Sequence, residues 1–284
     1  MPEIPPDDAS VDAPDPLPSS RRRTRASGVF TRDTPGNRSL ERGLAILRAF
    51  RPGITTLSNA ELAQRTGLAR PTVSRLTRTL VDGGFLEFDF ASAAYRLGPP
   101  FLSFGQSVRQ GSVVLQAALP LMRELADLLR INVGLAVADG ADMIYLESVR
   151  KSRLGLFRHV VPGSRLPIAE TALGRAWLAG LAPDARQASL AALSTRYGER
   201  WPAWLREIER ALAHVARYGY CAATYQAGMV SIATPLVVPG QAVHAFNISF
   251  PVSTDGDRGG LERRYAPLLL ETAGRLRGAL TQAA

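Results

Sequence analysis

The chain has 284 residues, 46% of them hydrophobic, and a formal net charge of +9, with a pI near 10.5. That is length for about two domains with ordinary apolar cores, while no run reaches the ~18–20 apolar residues of a membrane-spanning helix and the acidic, proline-rich start is not a secretory signal. The single cysteine, Cys221, excludes an internal disulfide framework and fits a cytoplasmic protein, and the basic balance favours a polyanionic partner.

Position says more than the total, since 33 of the 34 basic residues are arginine, a ratio that points to codon bias. Residues 1–20 carry five acids and no base, residues 21–36 five arginines and one acid, and residues 37–98 nine arginines and five acids. Residues 1–36, rich in Pro, Asp, Ser and Arg, have too little apolar surface to offset ordering entropy and read as a disordered tail. Its Arg21-Arg22-Arg23-Thr24-Arg25 run suits phosphate or minor-groove contact, or is a solvated basic segment.

From Asn37 to Pro99 two short helical patterns meet at a glycine turn and a β-ribbon follows. The first helix spans Ser39 to Phe50, with Leu40, Leu44, Ile46 and Leu47 as its apolar face, and Pro52-Gly53 ends it. Ser58-Asn59-Ala60-Glu61 is a capping box that opens the second. Gly67 supplies a left-handed turn. The third helix runs from Arg70 to Asp82, with Pro71 at a position whose N–H needs no partner and Gly83-Gly84 as its stop. Phe85–Phe88 and Ala94–Leu97 are short strands of a wing. The spacing predicts a winged helix-turn-helix over 37–98, a shape that places one helix in the major groove.

Val73, Leu76, Thr77 and Leu80 share the inner face of that third helix and should pack on Leu47, Leu62 and Leu68. The outer face carries Arg70, Thr72, Ser74, Arg75 and Arg78, next to Pro71. Arg75 is the candidate for a bidentate guanine contact, worth roughly 1–3 kcal/mol of discrimination. Thr72 and Ser74 suit phosphate or base edges, and Arg70, Arg78 and the wing residue Arg96 suit phosphates. A lone arginine is as readily a solvated surface charge; the joint order of cap, turn, faces and ribbon carries the reading.

Beyond the wing, a connecting helix is predicted from Pro99 to Arg109, with Phe101, Leu102 and Val108 as contacts, then a longer helix from Val113 to Arg130. Strands follow at Asn132–Ala138, Met143–Val149 and Leu154–Val161. Helical patterns cover Glu170–Gly180, Asp184–Leu193 and Ala203–Arg217. Met229–Val238 and Ala242–Phe250 read as a hairpin around Pro239-Gly240-Gln241, and a terminal helix covers Arg258 to Leu280. A sheet flanked by helices is an α+β arrangement able to enclose a small-molecule pocket.

Catalysis finds no support. His159, His214 and His244 sit in no nucleophile motif, and Cys221 and His214 lack zinc-ligand spacing. Phosphate loops of the GxxxxGK[ST] or GxGxxG type are absent. Cys221 reads as a small buried residue, and nothing sets Glu147 opposite Glu170. No metal site and no cofactor is expected.

Residues 38–281 resemble the IclR family of bacterial transcriptional regulators. The matching segments are RSLERGLAILRAF, ELAQRTGLARPTVSRLTRTLVDGGFLE, YRLG, LAVADGADMIYLESV, GSRLPIAETALGRAWLAGL, ARYGY, GMVSIATPL and ISFP. The resemblance implies a winged helix-turn-helix, a linker helix over 99–117, and a GAF-like effector-binding domain over 118–284. It implies a dimer or dimer of dimers on double-stranded operator DNA, with no membrane partner, and a small effector that alters promoter occupancy. By that likeness Gly155, Arg158, Leu166, Thr171, Ala172, Leu173, Ser231, Asn247 and Ser249 line the effector pocket. Thr171-Ala172-Leu173-Gly174 would open a helix whose free N–H groups favour an anion. Three departures stand out. Cys221-Ala222-Ala223-Thr224-Tyr225 carries no acid and is two residues short, Ser231 replaces a frequent cysteine, and Arg158 takes an apolar strand position. The expected effector is therefore a carboxylate or aromatic acid paired with Arg158, unless strand alternation turns Arg158 to solvent. Two other functions stay open: a ligand-free architectural DNA binder, and a sensor module acting through a protein partner.

Overall fold

The computed structural model describes residues 36–151, 160–252 and 257–282. The first helix, α1 (Arg38–Ala49), starts where the Asn37 side chain accepts the N–H groups of Ser39 and Leu40. Helix α2 (Asn59–Thr66) carries the full capping box: the Glu61 N–H donates to Ser58 Oγ at 3.3 Å and the Ser58 N–H to the Glu61 carboxylate at 2.8 Å. Gly67, at φ +69°, closes it in the left-handed conformation that glycine adopts most readily. Helix α3 (Arg70–Asp82) follows, then the wing strands β1 (Leu86–Asp89) and β2 (Ala94–Leu97), paired antiparallel with Leu86 opposite Leu97. Leu57 and Tyr95 exchange two backbone hydrogen bonds, which fastens the wing to the start of α2. Ile46, Phe50, Leu57, Leu62, Val73 and Leu86 form the core of this part.

Ser112 divides the next helical stretch. It ends α4 (Pro100–Gly111) and caps α5 (Val113–Leu129), its hydroxyl accepting the Leu115 N–H. The second part is built on β3 (Asn132–Asp139), β4 (Asp142–Arg150), β5 (Arg165–Pro167), β6 (Cys221–Gln226), β7 (Met229–Leu236) and β8 (His244–Pro251). Among the described residues these form one sheet in the order β5-β4-β3-β8-β7-β6, and every pair is antiparallel. Between β5 and β6 lie α6 (Ala172–Gly180), α7 (Pro183–Tyr197) and α8 (Trp201–Tyr218), and α9 (Arg258–Gln282) comes last.

Alternation gives the sheet two unlike faces. Val133, Leu135, Val230, Ile232, Phe246, Ile248 and Phe250 point to α5 and α9, where they meet Leu115, Met122, Leu269 and Leu276. The other face offers Ala136, Ala233 and Ala245 to Leu173 and Ala176 of α6. Small residues there let the helix lie close, and Gly174 takes this to its limit, since a Cβ at that position would collide with the Ile168 backbone. No helix among the described residues is long and apolar enough to cross a membrane.

Several sequence expectations need correction. The predicted strand Leu154–Val161 lies largely outside the described residues, and its last two, Val160 and Val161, belong to no strand. The three-residue β5 and the whole of β6 were not anticipated. Leu40 and Leu44 of α1 are 61% and 50% exposed, and Leu102 and Val108 of α4 are 81% and 59% exposed. These four join no core among the described residues. Phe101 does make a contact, packing edge-on against Phe85.

Candidate functional site

The outer face of α3 is a polar strip on a firmly held helix. Val73 and Thr77 are fully buried, and the Thr77 hydroxyl donates to the Val73 carbonyl at 2.9 Å, so it needs no other partner. Leu76 and Leu80 are partly buried on the same side. Arg70, Pro71, Ser74, Arg75 and Arg78 are exposed and Thr72 is half-buried. Ser74 is not free-standing: Asn59, at the first turn of α2, donates its amide to the Ser74 hydroxyl at 2.9 Å. Asn59 therefore belongs to the strip, although helical periodicity gave no sign of it. Arg96 on the wing is exposed and pairs with Glu87 at 2.7 Å, which offsets part of its charge toward a polyanion.

The second feature is a cavity of about 100 Å³ on the α6 side of the sheet. Its floor follows from register. Arg150, Asn132, Ser249, Ser231 and Ala223 form one row across β4, β3, β8, β7 and β6. Ser148, Gly134, Asn247, Ala233 and Cys221 form the next row. The opposite wall is Thr171, Ala172 and Leu173 at the start of α6, with Val160 and Leu166, and Tyr225, Gln226 and Met229 close one side. Thr171 caps α6 by accepting the Gly174 N–H at 3.2 Å. That leaves the Ala172 and Leu173 N–H groups in the first turn without an intrahelical partner.

Asn247 organises the floor. Its Nδ2 donates to Ser231 Oγ at 2.8 Å and Ser249 Oγ at 3.1 Å, and Ser231 donates in turn to the Ile248 carbonyl. A Cβ on Gly134 would strike Asn247 Oδ1 and the Tyr145 ring, so glycine is what admits both. Tyr145 reaches this face through a bulge: Leu135 pairs with Glu147 and Ala136 with Tyr145, leaving Leu146 as the extra residue on the α5 side. Burial holds the Tyr145 phenol well above its ordinary range and therefore neutral. Arg150 is the charged residue of the described lining, which has no carboxylate.

Seven residues singled out from sequence, Leu166, Thr171, Ala172, Leu173, Ser231, Asn247 and Ser249, line this one cavity. Gly155 and Arg158 lie outside the described residues. Sequence reasoning missed Asn132, Tyr145, Ser148 and Arg150. Only the pairing of Asn132 with Ser249 and Arg150 could have disclosed three of them, and the fourth needed the bulge. Cys221 sits at the end of the second row, its thiol pushed up to about 12 by burial and directed at the Ala172 carbonyl, which leaves it inert. Glu147 accepts from Arg109 at 2.6 Å and Glu170 from the Tyr197 hydroxyl at 2.9 Å, so the two carboxylates serve separate partners.

A winged helix-turn-helix carried on the same chain as a pocketed α+β domain defines the class of one-component transcriptional regulators. The IclR helix-turn-helix domain model matches residues 39–89, and the model of the bacterial transcriptional regulator IclR C-terminal domain matches residues 106–276. The chain belongs to the IclR family, which consists of transcriptional regulators and not of enzymes. It is 34% identical over 183 residues to the HTH-type transcriptional regulator TsaQ1/TsaQ2 of Comamonas testosteroni, a match that spans 64% of this chain and 66% of that protein. An IclR family regulator from Brucella abortus has the same fold, with a TM-score of 0.79, 36% identity, and 87% and 94% of the two chains covered. An IclR homolog from Microbacterium hydrocarbonoxydans, solved in complex with 4-hydroxybenzoate, superposes with a TM-score of 0.65 at 25% identity, covering 87% of this chain and all of that one.

Proposed function

We propose that the protein is a ligand-responsive regulator acting in the cytoplasm, which reads promoter DNA with α3 in the major groove and senses a small anionic metabolite in the cavity. The observation that carries the reading is the split of α3. Its buried Val73 and Thr77 fix the helix angle, and its exposed Arg70, Arg75 and Arg78 present cations along the free edge. In this reading Arg75 bonds a guanine, Thr72 and Ser74 bond phosphate or base edges, and Arg70, Arg78 and Arg96 neutralise phosphates beside Pro71. The functional units are the reader over 37–98, the linker over 99–117 and the effector domain over 118–284, with residues 1–36 as a tail.

The effector is a carboxylate or aromatic acid. A lining with Arg150 and no described carboxylate, facing two N–H groups of a helix start, favours an anion. The 4-hydroxybenzoate bound by the Microbacterium homolog belongs to that chemical class. The working form is a homo-oligomer: two readers are needed for two half-sites about one helical turn or more apart, and the exposed Leu40, Leu44, Leu102 and Val108 on α1 and α4 offer a second copy an apolar surface. The ligand can change promoter occupancy only by its difference in affinity for the two arrangements of the oligomer.

Footprinting on duplexes selected in vitro by the full chain tests this reading. Arg75→Ala should lose the footprint while its thermal shift with an acid ligand stays that of wild type. A retained footprint would take α3 out of the major groove. Wild-type footprints unaffected by every member of a broad acid panel would leave an architectural DNA binder, and failure to select any duplex would leave a sensor working through a protein partner.

A further inference from the structure

Arg165 on β5 joins features that are far apart in sequence. Its Nη1 donates to the Asp139 carboxylate at 2.7 Å, its Nε to the Asp142 carboxylate at 3.2 Å and its Nη2 to the Asp139 carbonyl at 2.9 Å. The same two carboxylates receive arginines from the reader. Arg48 in the last turn of α1 donates to Asp139 at 3.0 Å, and Arg51, just past that helix, donates to Asp142 at 3.1 Å. Arg196 of α7 gives Asp142 a third guanidinium at 3.0 Å. The Asp142 side chain is only 4% exposed. A carboxylate at that depth is tolerated only when paired, but one or two arginines would neutralise it. The arginine from the reader is surplus to the charge balance, and what it adds is a link between the two parts of the chain.

The other side of β5 faces the cavity. Leu166, next to Arg165, lines it and pairs with Met143 across β4. A second cavity, of about 440 Å³, is walled by Arg51, Arg165 and Arg196 and shares Val160, Leu166 and Tyr225 with the first. A strand of three residues at the edge of the sheet thus has the candidate effector site on one flank and the ion pairs to the reader on the other. Backbone bonds of Gly163 and Ser164 with Tyr145, and of Ile168 with Ala141, tie both ends of β5 to β4, so Arg165 and Leu166 ride on one short edge segment.

We propose that Asp139, Asp142 and Arg165 are positioning residues that set the orientation of the reader through Arg48 and Arg51, and that an occupant of the cavity acts on the reader by displacing Leu166 and with it Arg165. The second half rests on the effector reading of the cavity given above; the first half does not. The Arg51–Asp142 pair is the stronger anchor because its carboxylate is buried. The Arg48–Asp139 pair, with the arginine side chain 69% exposed, is weaker on its own.

Spin labels at Gln64→Cys on α2 and Gln187→Cys on α7, both exposed positions, report the distance between the two parts in the full chain. Cys221 is buried and escapes labelling, and dilution with unlabelled protein isolates distances within one chain. The expected result is a narrow distribution in the parent, at least twofold broader in Arg48→Gln/Arg51→Gln, and narrow again in Arg48→Lys/Arg51→Lys. A double glutamine variant as narrow as the parent would overturn the anchoring. The coupling is read with 4-hydroxybenzoate as probe: the glutamine variant should bind it within twofold of the parent by calorimetry yet lose its effect on DNA affinity. An unchanged effect on DNA overturns the coupling. If calorimetry detects no binding of 4-hydroxybenzoate or of any member of the acid panel to either protein, the effector reading of the cavity and the coupling that rests on it both fail, and the distance measurement alone decides the anchoring.

Discussion

Val73 and Arg75 stand two positions apart on α3, one fully buried and the other exposed. A helix turns roughly 200° over two residues, so a single rigid element can be glued on one side and read on the other. Side-chain chemistry is set as locally in the cavity. Ser231 gives its proton to the Ile248 carbonyl and so can only accept from Asn247, which orients the Asn247 amide nitrogen toward the serines. His244 allows a test by pH. Burial holds its imidazole below the ordinary range, and its Nδ1 lies 2.7 Å from the Ala242 carbonyl, to which the neutral ring donates. The unfolded chain, with an ordinary value of about 6.5, takes up the proton first, so stability falls as pH drops below about 6.5 toward the lower value in the fold. Urea melts between pH 7 and pH 5 should show that decline in the parent and a flatter profile in His244→Gln; equal slopes would mean that His244 protonates without cost in the fold.

Among the elements, α2 shows the most complete local logic. Serine, glutamate and glycine at Ser58, Glu61 and Gly67 define its start and its end by bonds made within four residues. Replacing Ser58 with alanine removes one of the two reciprocal cap bonds and should cost about 1 kcal/mol, a fall of roughly 2–4 °C in the melting of a chain of this size. Calorimetric melts of the parent and Ser58→Ala check it, and no shift would mean that water replaces the cap at no cost. Strand β4 has a logic that reaches further. Its bulge sends Leu146 to the α5 core and Tyr145 to the cavity, so one extra residue serves both faces of the sheet.

For the whole molecule, charge is the organising quantity. The reader segment 37–98 has nine arginines against five acids, and two of those arginines, Arg48 and Arg51, are already engaged with Asp139 and Asp142. Arg70, Arg75 and Arg78 are exposed, and on the proposed reading they are the ones left for phosphates and bases. If each reader neutralises about three phosphates, the logarithm of the duplex affinity should fall against the logarithm of salt with a slope of about −3 per reader and about −5 for a pair. Fluorescence anisotropy across a salt series measures it. A slope near zero would be incompatible with a phosphate-clamping surface, whatever the fold.

The sequence by itself determined the reader and the order of most elements. Ser58-Glu61, Gly67, Pro71 and the alternation of Phe246, Ile248 and Phe250 act through caps, backbone preference and periodicity, forces that operate within a few residues and so leave a legible pattern. It also supplied seven lining residues through family likeness, although likeness gave no account of why they converge. The tertiary structure alone decided the rest. Arg150 and Asn132 reach the cavity floor because β4, β3 and β8 pair in one particular register, and a shift of one residue would have turned them away. Leu40 and Leu44 read as core on an amphipathic helix, yet the reader is too small to cover the whole stripe. Asp142, an ordinary turn residue in sequence, is buried among arginines drawn from positions 51, 165 and 196. Such a cluster depends on which distant segments share a neighbourhood, and that is fixed by the packing of the whole chain and not by any stretch of it.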